Sequence, residues 1–387
     1  MFEELLWTLI GWILGVLTQW FIKGTFWDTD FVQGRLLRRQ QEKLNAILSR
    51  SRLDLIVGSL KIEQIMAQIF ESPLGSSDIE CRFEPRPRAL PADLQELEFS
   101  FYPRLEAQLK AQGKTVDDNQ LYGLRAVRIE RPQQQGRRHN RPELVFEPTR
   151  FRYYLMINSS LDSPLLPELE GNPTSIQQRY NLALSNFQWS DVKEIPIHQW
   201  FATVTGVITN DNQLVIAIRS EMQNISDSAG GDAWHRASLS CAEGMLRPTD
   251  SKTPLPVETP SPFKTVFRAL GDELGLKLGK HYMEQQVKFI ALGYDKKRCQ
   301  PVGVFYLELE GLGFLDVYNS WEMAKDRHEN MTLMPVAVEP KSVANLLLGK
   351  ITYDKKPVRL FSNHQQMGTL LVAFHRLGTE AITDALS

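Results

Sequence analysis

A chain of 387 residues is long enough for two or more domains, and 42% hydrophobic content is that of a globular rather than a disordered protein. Lys plus Arg (44) nearly balance Asp plus Glu (46), which excludes the overall basic field that would recruit nucleic acid by charge. Cys81, Cys241 and Cys299 lie far apart, without CxxC spacing or paired histidines, so neither a disulfide framework nor a zinc site is expected and a reducing compartment fits best.

The first predicted element is apolar. From Leu5 to Ile22 the sequence reads "LLWTLIGWILGVLTQWFI", eighteen residues without a charge, and a helix of that length spans ~27 Å, close to a bilayer's hydrocarbon thickness. Glu3 and Glu4 precede the run and Lys23 and bulky aromatics follow it, unlike a cleaved signal peptide. Residues 1–27 are therefore expected to be an uncleaved transmembrane anchor. Lys23, Arg35, Arg38, Arg39 and Lys43 follow it, so the positive-inside rule predicts a single-pass inner-membrane protein with its C-terminal part in the cytoplasm. Gly11 and Gly15 stand one turn apart, the spacing at which two membrane helices pack, and mark an expected homo-oligomer contact.

Residues 28–75 carry apolar positions at helical spacing, among them Leu36, Leu37, Leu44, Ile47, Leu48, Leu55, Ile62, Ile65 and Ile69, broken near Gly58. Two amphipathic juxtamembrane helices are expected there, with "GRLLRRQQEK" facing lipid headgroups or solvent. Residues 76–195 form an expected α/β subdomain. The strands are "LRAVRIERP" and "ELVFEPTRFRYYLMINSSLD", with the basic hairpin tip "QQQGRRHN" between them. The Pro- and Gly-bearing "DSPLLPELEGNPTS" then reads as a connection and "IQQRYNLALSNF" as a helix, before a boundary near 195.

From residue 196 onward β-branched runs on either side of "NDNQ" predict a hairpin, and "QVKFIALGYD" with "PVGVFYLELEG" predicts a second. Between these pairs lies "SPFKTVFRALGDELGL", residues 261 to 276. Ser261 suits an N-cap, Pro262 the first helical position and Gly275 the end, so a helix is expected over this stretch.

The order of strand, long loop, helix and strands, with "SLSCAEGM" before the helix and "RALGDELGL" within it, resembles the Nudix superfamily. That family's box runs Gly, five residues, Glu, seven residues, then Arg-Glu-apolar-x-Glu-Glu-x-Gly-apolar. Arg268, Leu270, Asp272, Glu273, Gly275 and Leu276 match its helical half, and Ala269 replaces the first glutamate of the helix. Gly244 stands at the opening glycine and Asp250 at the loop glutamate, with Ser251 to Pro260 adding about ten residues before Arg268. The resemblance covers about residues 199 to 345. It implies an α+β chain whose residues 196–387 form an α/β/α sandwich with a mixed sheet.

The family's chemistry uses hard divalent cations on clustered carboxylates to neutralise a bound diphosphate and activate water. The resemblance thus implies Asp272 and Glu273 as catalytic residues, Asp272, Glu273 and Glu243 as ligands of a weak or absent Mg2+ or Mn2+, and Gly244 and Arg268 at the bound molecule. Glu322, Asp326 and Glu329 are further acids within reach by sequence, and Arg268 and Asp272, four apart on a helix, are an expected ion pair. Three readings follow. One is a membrane-anchored sensor or effector of a nucleotide or nucleoside-diphosphate-type ligand, with impaired catalysis, of the kind found in bacterial nucleotide signalling or antiphage defence. The others are an active metal-dependent hydrolase of such a compound and a membrane-tethered scaffold.

Overall fold

A computed structural model describes residues 54–111, 118–130, 141–158, 175–176, 180, 188–220, 233–253 and 257–387 of the chain. Its centre is a ten-stranded mixed sheet. Strand β1 (Leu55–Val57) and β2 (Leu60–Ile62) make a separate small hairpin, and β3 (Ile65–Leu74) joins the large sheet at its edge. The large sheet is completed by β7 (Ala202–Ile208), β8 (Gln213–Arg219), β9 (His235–Leu239), β10 (Cys241–Gly244), β11 (Val287–Asp295), β12 (Gln300–Glu308), β13 (Asn330–Ala337), β14 (Thr352–Tyr353) and β15 (Lys356–Leu360). The runs "ATVTGVI" and "QLVIAIR" are buried on both faces, which suits central strands rich in β-branched residues.

Strands β7 and β8 meet antiparallel at Ile208 and Leu214 and then part, because β12 lies parallel along one edge of β7 and β10 takes the space beside Ala202 to Thr205. Helix α4 (Pro262–Leu274) covers one face of the sheet, where Phe263 meets Phe305 edge-on at 5.1 Å and Phe305 stacks on Phe289 at 4.7 Å. Helix α7 (Asn363–Leu377) covers the other. There Met367 Cε fills the space over Gly293 of β11, 2.1 Å from where a Cβ would stand. The remaining helices of this half are α5 (Phe314–Glu322), α6 (Pro340–Leu347) and α8 (Thr379–Leu386).

A second, three-stranded sheet orders β4 (Glu80–Phe83), β6 (Arg141–Arg150) and β5 (Gln120–Glu130), with helices α1 (Ala92–Ser100), α2 (Tyr102–Ala111) and α3 (Phe151–Asn158) beside it. Backbone bonds Tyr122 N to Met245 O (2.9 Å), Phe201 N to Tyr122 O (3.1 Å) and Leu124 N to Gln199 O (2.7 Å) tie it to the chain around the loop that precedes α4. Under this junction Glu147, fully buried, accepts from Arg88 Nε at 2.7 Å and lies 3.4 Å from Arg125 Nη1.

Four expectations are corrected. The chain is α+β with mixed sheets, but among the described residues no helix is long and apolar enough to cross a membrane. The longest, α7, has 15 residues, against the ~20 a bilayer requires. The expected anchor, with Gly11 and Gly15, lies outside the described residues, and the single-pass inner-membrane placement is withdrawn. Second, Leu55 to Leu74 forms strands rather than a helix. Leu55, Val57, Leu60 and Ile62 are buried with exposed residues between them, a two-residue period that the spacing of isoleucines had disguised. Third, the predicted strand from Glu143 stops at Arg150, and "FRYYLMIN" is α3, packing Phe151 and Tyr154 against Trp200. Fourth, Ser261 stands at the N-cap with an extended backbone, but its side chain makes no capping bond. The tip "QQQGRRHN" and most of the expected helix after residue 176 lie outside the described residues.

Candidate functional site

The loop from Gly244 and helix α4 are clasped together by one ion pair. Arg268 donates from Nε to Asp250 Oδ1 and from Nη2 to Asp250 Oδ2, each at 3.0 Å, and Nη2 also reaches the Gly244 carbonyl at 2.7 Å. Leu246 N (2.8 Å) and Thr265 Oγ1 (2.9 Å) donate to the same Asp250 carboxylate. Gly244, Asp250 and Arg268, separated by 24 positions, thus meet at one point. Arg268 does not make its expected pair with Asp272, because the loop carboxylate offers a planar two-point partner in a buried setting. A Cβ on Gly244 would lie 2.1 Å from the Trp200 indole, so the ring requires glycine there.

The extra segment does not disturb this clasp. Its ends pair at Ser251 and Pro260, Lys252 N donates to Thr259 O at 2.7 Å, and the excursion closes on itself. Within it Glu258 takes a two-point bond from Arg247, at 2.8 and 2.6 Å, and accepts from the Tyr122 hydroxyl. None of these three residues was singled out in the sequence, where each reads as an ordinary loop or strand residue.

The acids of the site divide into two groups. Glu273 is buried, and its Oε1 accepts from Ala242 N at 3.1 Å. Desolvation, followed by the charge of Glu243, pushes its carboxyl well above the usual carboxylate range; Arg219 pulls the other way and Glu329 adds to the rise. Glu243 keeps 26% of its side chain exposed, but its carboxyl lies among other acids 3.6 Å from Arg268 Nη1. Desolvation is the main cause that lifts it to about 7, with Arg268 opposing and Glu329 reinforcing. Glu329 is itself held by Arg219 at 3.1 Å. Glu243, Glu273 and Glu329 therefore face one another, with Arg219 and Arg268 as the neighbouring cations.

Asp272 stands apart: Lys325 Nζ donates to its Oδ2 at 3.3 Å, and its carbonyl accepts from Asp326 N at 2.8 Å. Of the three further acids Glu329 reaches the site, Asp326 stands beside Asp272, and Glu322 is exposed on α5. Arg219 was missed by sequence reasoning. Its signal was a cation closing an otherwise apolar strand, where burial demands a counter-charge.

Ala269 is 1% exposed and packs in the core, beside Glu273 on the same helical face. It places a methyl group where the family pattern has a carboxylate. Among the described residues no three His, Cys, Asp or Glu side chains are grouped to hold a metal ion. Glu273, Glu329 and Asp250 already spend oxygens on Ala242 N, Arg219 and Arg268. No family model matches the chain, and no curated protein does.

Proposed function

We propose that the C-terminal half is a Nudix-like module that binds a nucleotide or nucleoside-diphosphate-type ligand as a sensor or effector in nucleotide signalling, with hydrolysis impaired. The observation that carries this reading is the state of Glu273. The helix's buried acid is bonded to Ala242 N and faces Glu243, burial and that neighbouring charge push its carboxyl well above the usual carboxylate range, and the position beside it is Ala269. With one Glu273 oxygen accepting from Ala242 N and a methyl group beside it in place of a second carboxylate, the helix offers a poor ligand set for a divalent cation. The Asp250–Arg268 clasp meanwhile holds the loop against the helix, which supports a loop-helix unit kept for binding.

The test is to incubate the purified full chain with Mg2+ or Mn2+ and a panel of nucleoside diphosphate compounds and cyclic nucleotides, following binding by calorimetry and product by chromatography. Binding without product is the expected outcome. Metal-dependent product formation that disappears in Glu273→Gln overturns the sensor reading in favour of a hydrolase, and neither binding nor product favours the scaffold.

A further inference from the structure

On the face of the sheet opposite α4, the start of α7 brings a hydroxyl, an imidazole and a carboxylate into line. Ser362, the N-cap of α7, places its Oγ 3.1 Å from Nε2 of His364. Nδ1 of His364 lies 3.5 Å from Oδ2 of Asp295, the last residue of β11. The other carboxylate oxygen, Oδ1, accepts from Arg298 N at 3.2 Å, which fixes the orientation of Asp295. His364 Nδ1 is buried and makes no hydrogen bond in this conformation, so Asp295 is the acceptor within its reach. The three groups come from two elements 67 positions apart (362 minus 295) that are packed against each other.

We propose that Ser362, His364 and Asp295 form a second active centre, of the serine-esterase type, acting on small carboxylic esters. The geometry assigns Ser362 as nucleophile, His364 as general base and Asp295 as the positioning residue that holds the imidazole. Capping does not account for the arrangement. Gln365 N donates to Ser362 Oγ at 3.4 Å and uses a lone pair, leaving the O–H free to donate to Nε2. Burial holds His364 below the usual imidazole value while Asp295 pulls it upward, so the ring is neutral at pH 7 as a base must be. Phe361 walls the ring edge-on at 6.1 Å. Ser362 is 8% and His364 7% exposed, so the centre is enclosed, which restricts the proposed substrates to esters with a small acyl group.

In the first step Oγ bonds to the ester carbonyl carbon and its proton passes to Nε2. The carbon–alkoxy bond then breaks as Nε2 returns that proton to the leaving oxygen. Water next attacks the acyl carbon, giving its proton to Nε2. The Oγ–carbon bond breaks, the carboxylic acid leaves and Ser362 recovers its proton. Negative charge on the carbonyl oxygen develops at the N-terminal end of a 15-residue helix, where first-turn N–H groups and the macrodipole favour it.

The test uses the full chain, a fluorophosphonate probe with peptide mapping, and p-nitrophenyl acetate. A single adduct on Ser362 is expected. Ser362→Asn keeps a competent N-cap and abolishes the adduct, and His364→Gln slows labelling by about 100-fold or more. Asp295→Asn lowers kcat for the ester with KM unchanged. Absence of an adduct, an adduct mapped elsewhere in the wild-type chain, or one that survives Ser362→Asn overturns the proposal. The peptide map decides even if a variant fails to fold, and the nucleotide assay above is read at a different face.

Discussion

Asp250 is the residue on which the loop depends, because its two oxygens accept from Leu246 N, Thr265 Oγ1 and both arms of Arg268. Asp250→Asn leaves Arg268 without its main counter-charge in a buried setting and is expected to cost about 3–5 kcal/mol, read from urea unfolding. Glu243 makes a different, pH-dependent prediction. Its folded value, about 7, lies above the ordinary 4.5. The folded state therefore binds more protons between these values, and stability falls as pH rises through that window. His281, His364 and His375, all lowered chiefly by burial, slope the other way at overlapping pH. The difference between wild-type and Glu243→Gln melting temperatures from pH 4.5 to 8 cancels these histidines and reports Glu243 together with Glu273, whose carboxyl the charge of Glu243 raises; the wild type should lose ground to the variant as pH rises through that window. At this scale the sequence was half legible. Gly244, Asp250, Arg268 and Glu273 were singled out only through the family pattern they resemble. The pairing of Arg268 with Asp250 rather than Asp272, and the approach of Glu329, depend on strands that bring distant segments together.

Among elements, helix α4 was the most legible, since Pro262 and Gly275 are local signals that need no tertiary partner. Gly275 ends the helix at φ +69°, and a Cβ there would lie 2.3 Å from the Ser320 carbonyl oxygen. Gly275→Ala is accordingly expected to destabilise the protein by on the order of 1–3 kcal/mol, again by urea unfolding. The strands from Leu55 to Leu74 were illegible for the opposite reason. An isoleucine every three or four residues satisfies a helical pattern as well as a strand pattern, and for β3 the decision is made by β11, whose edge lies more than two hundred residues away, while β1 and β2 settle theirs by pairing with each other. The 251–260 excursion carries Glu258 back to Tyr122 of the small sheet. A double-mutant cycle with Tyr122→Phe and Glu258→Gln should give a coupling of about 1–3 kcal/mol; additive losses would mean that the contact does not tie the loop to the sheet.

For the molecule as a whole, backbone bonds join the small sheet to the residues that flank β7 and β10, and Arg88, paired with Glu147 of β6, also donates to the Val192 carbonyl at 3.5 Å, so the stability of the two sheets is joined. Glu147→Gln, which leaves Arg88 enclosed without its partner, is expected to lower the melting of both sheets in one transition by about 3–5 kcal/mol, checked by matching near- and far-ultraviolet dichroism. The edge position of β3 has a further consequence in time. Ile65 pairs with Asp295, 230 positions later (295 minus 65). At a synthesis rate of ~5–20 residues per second, roughly 10–50 s pass between the two leaving the ribosome. Throughout that interval Ile65, Phe70 and Leu74, buried in the folded chain, have no partner strand to cover them, and a slower ribosome lengthens the exposure.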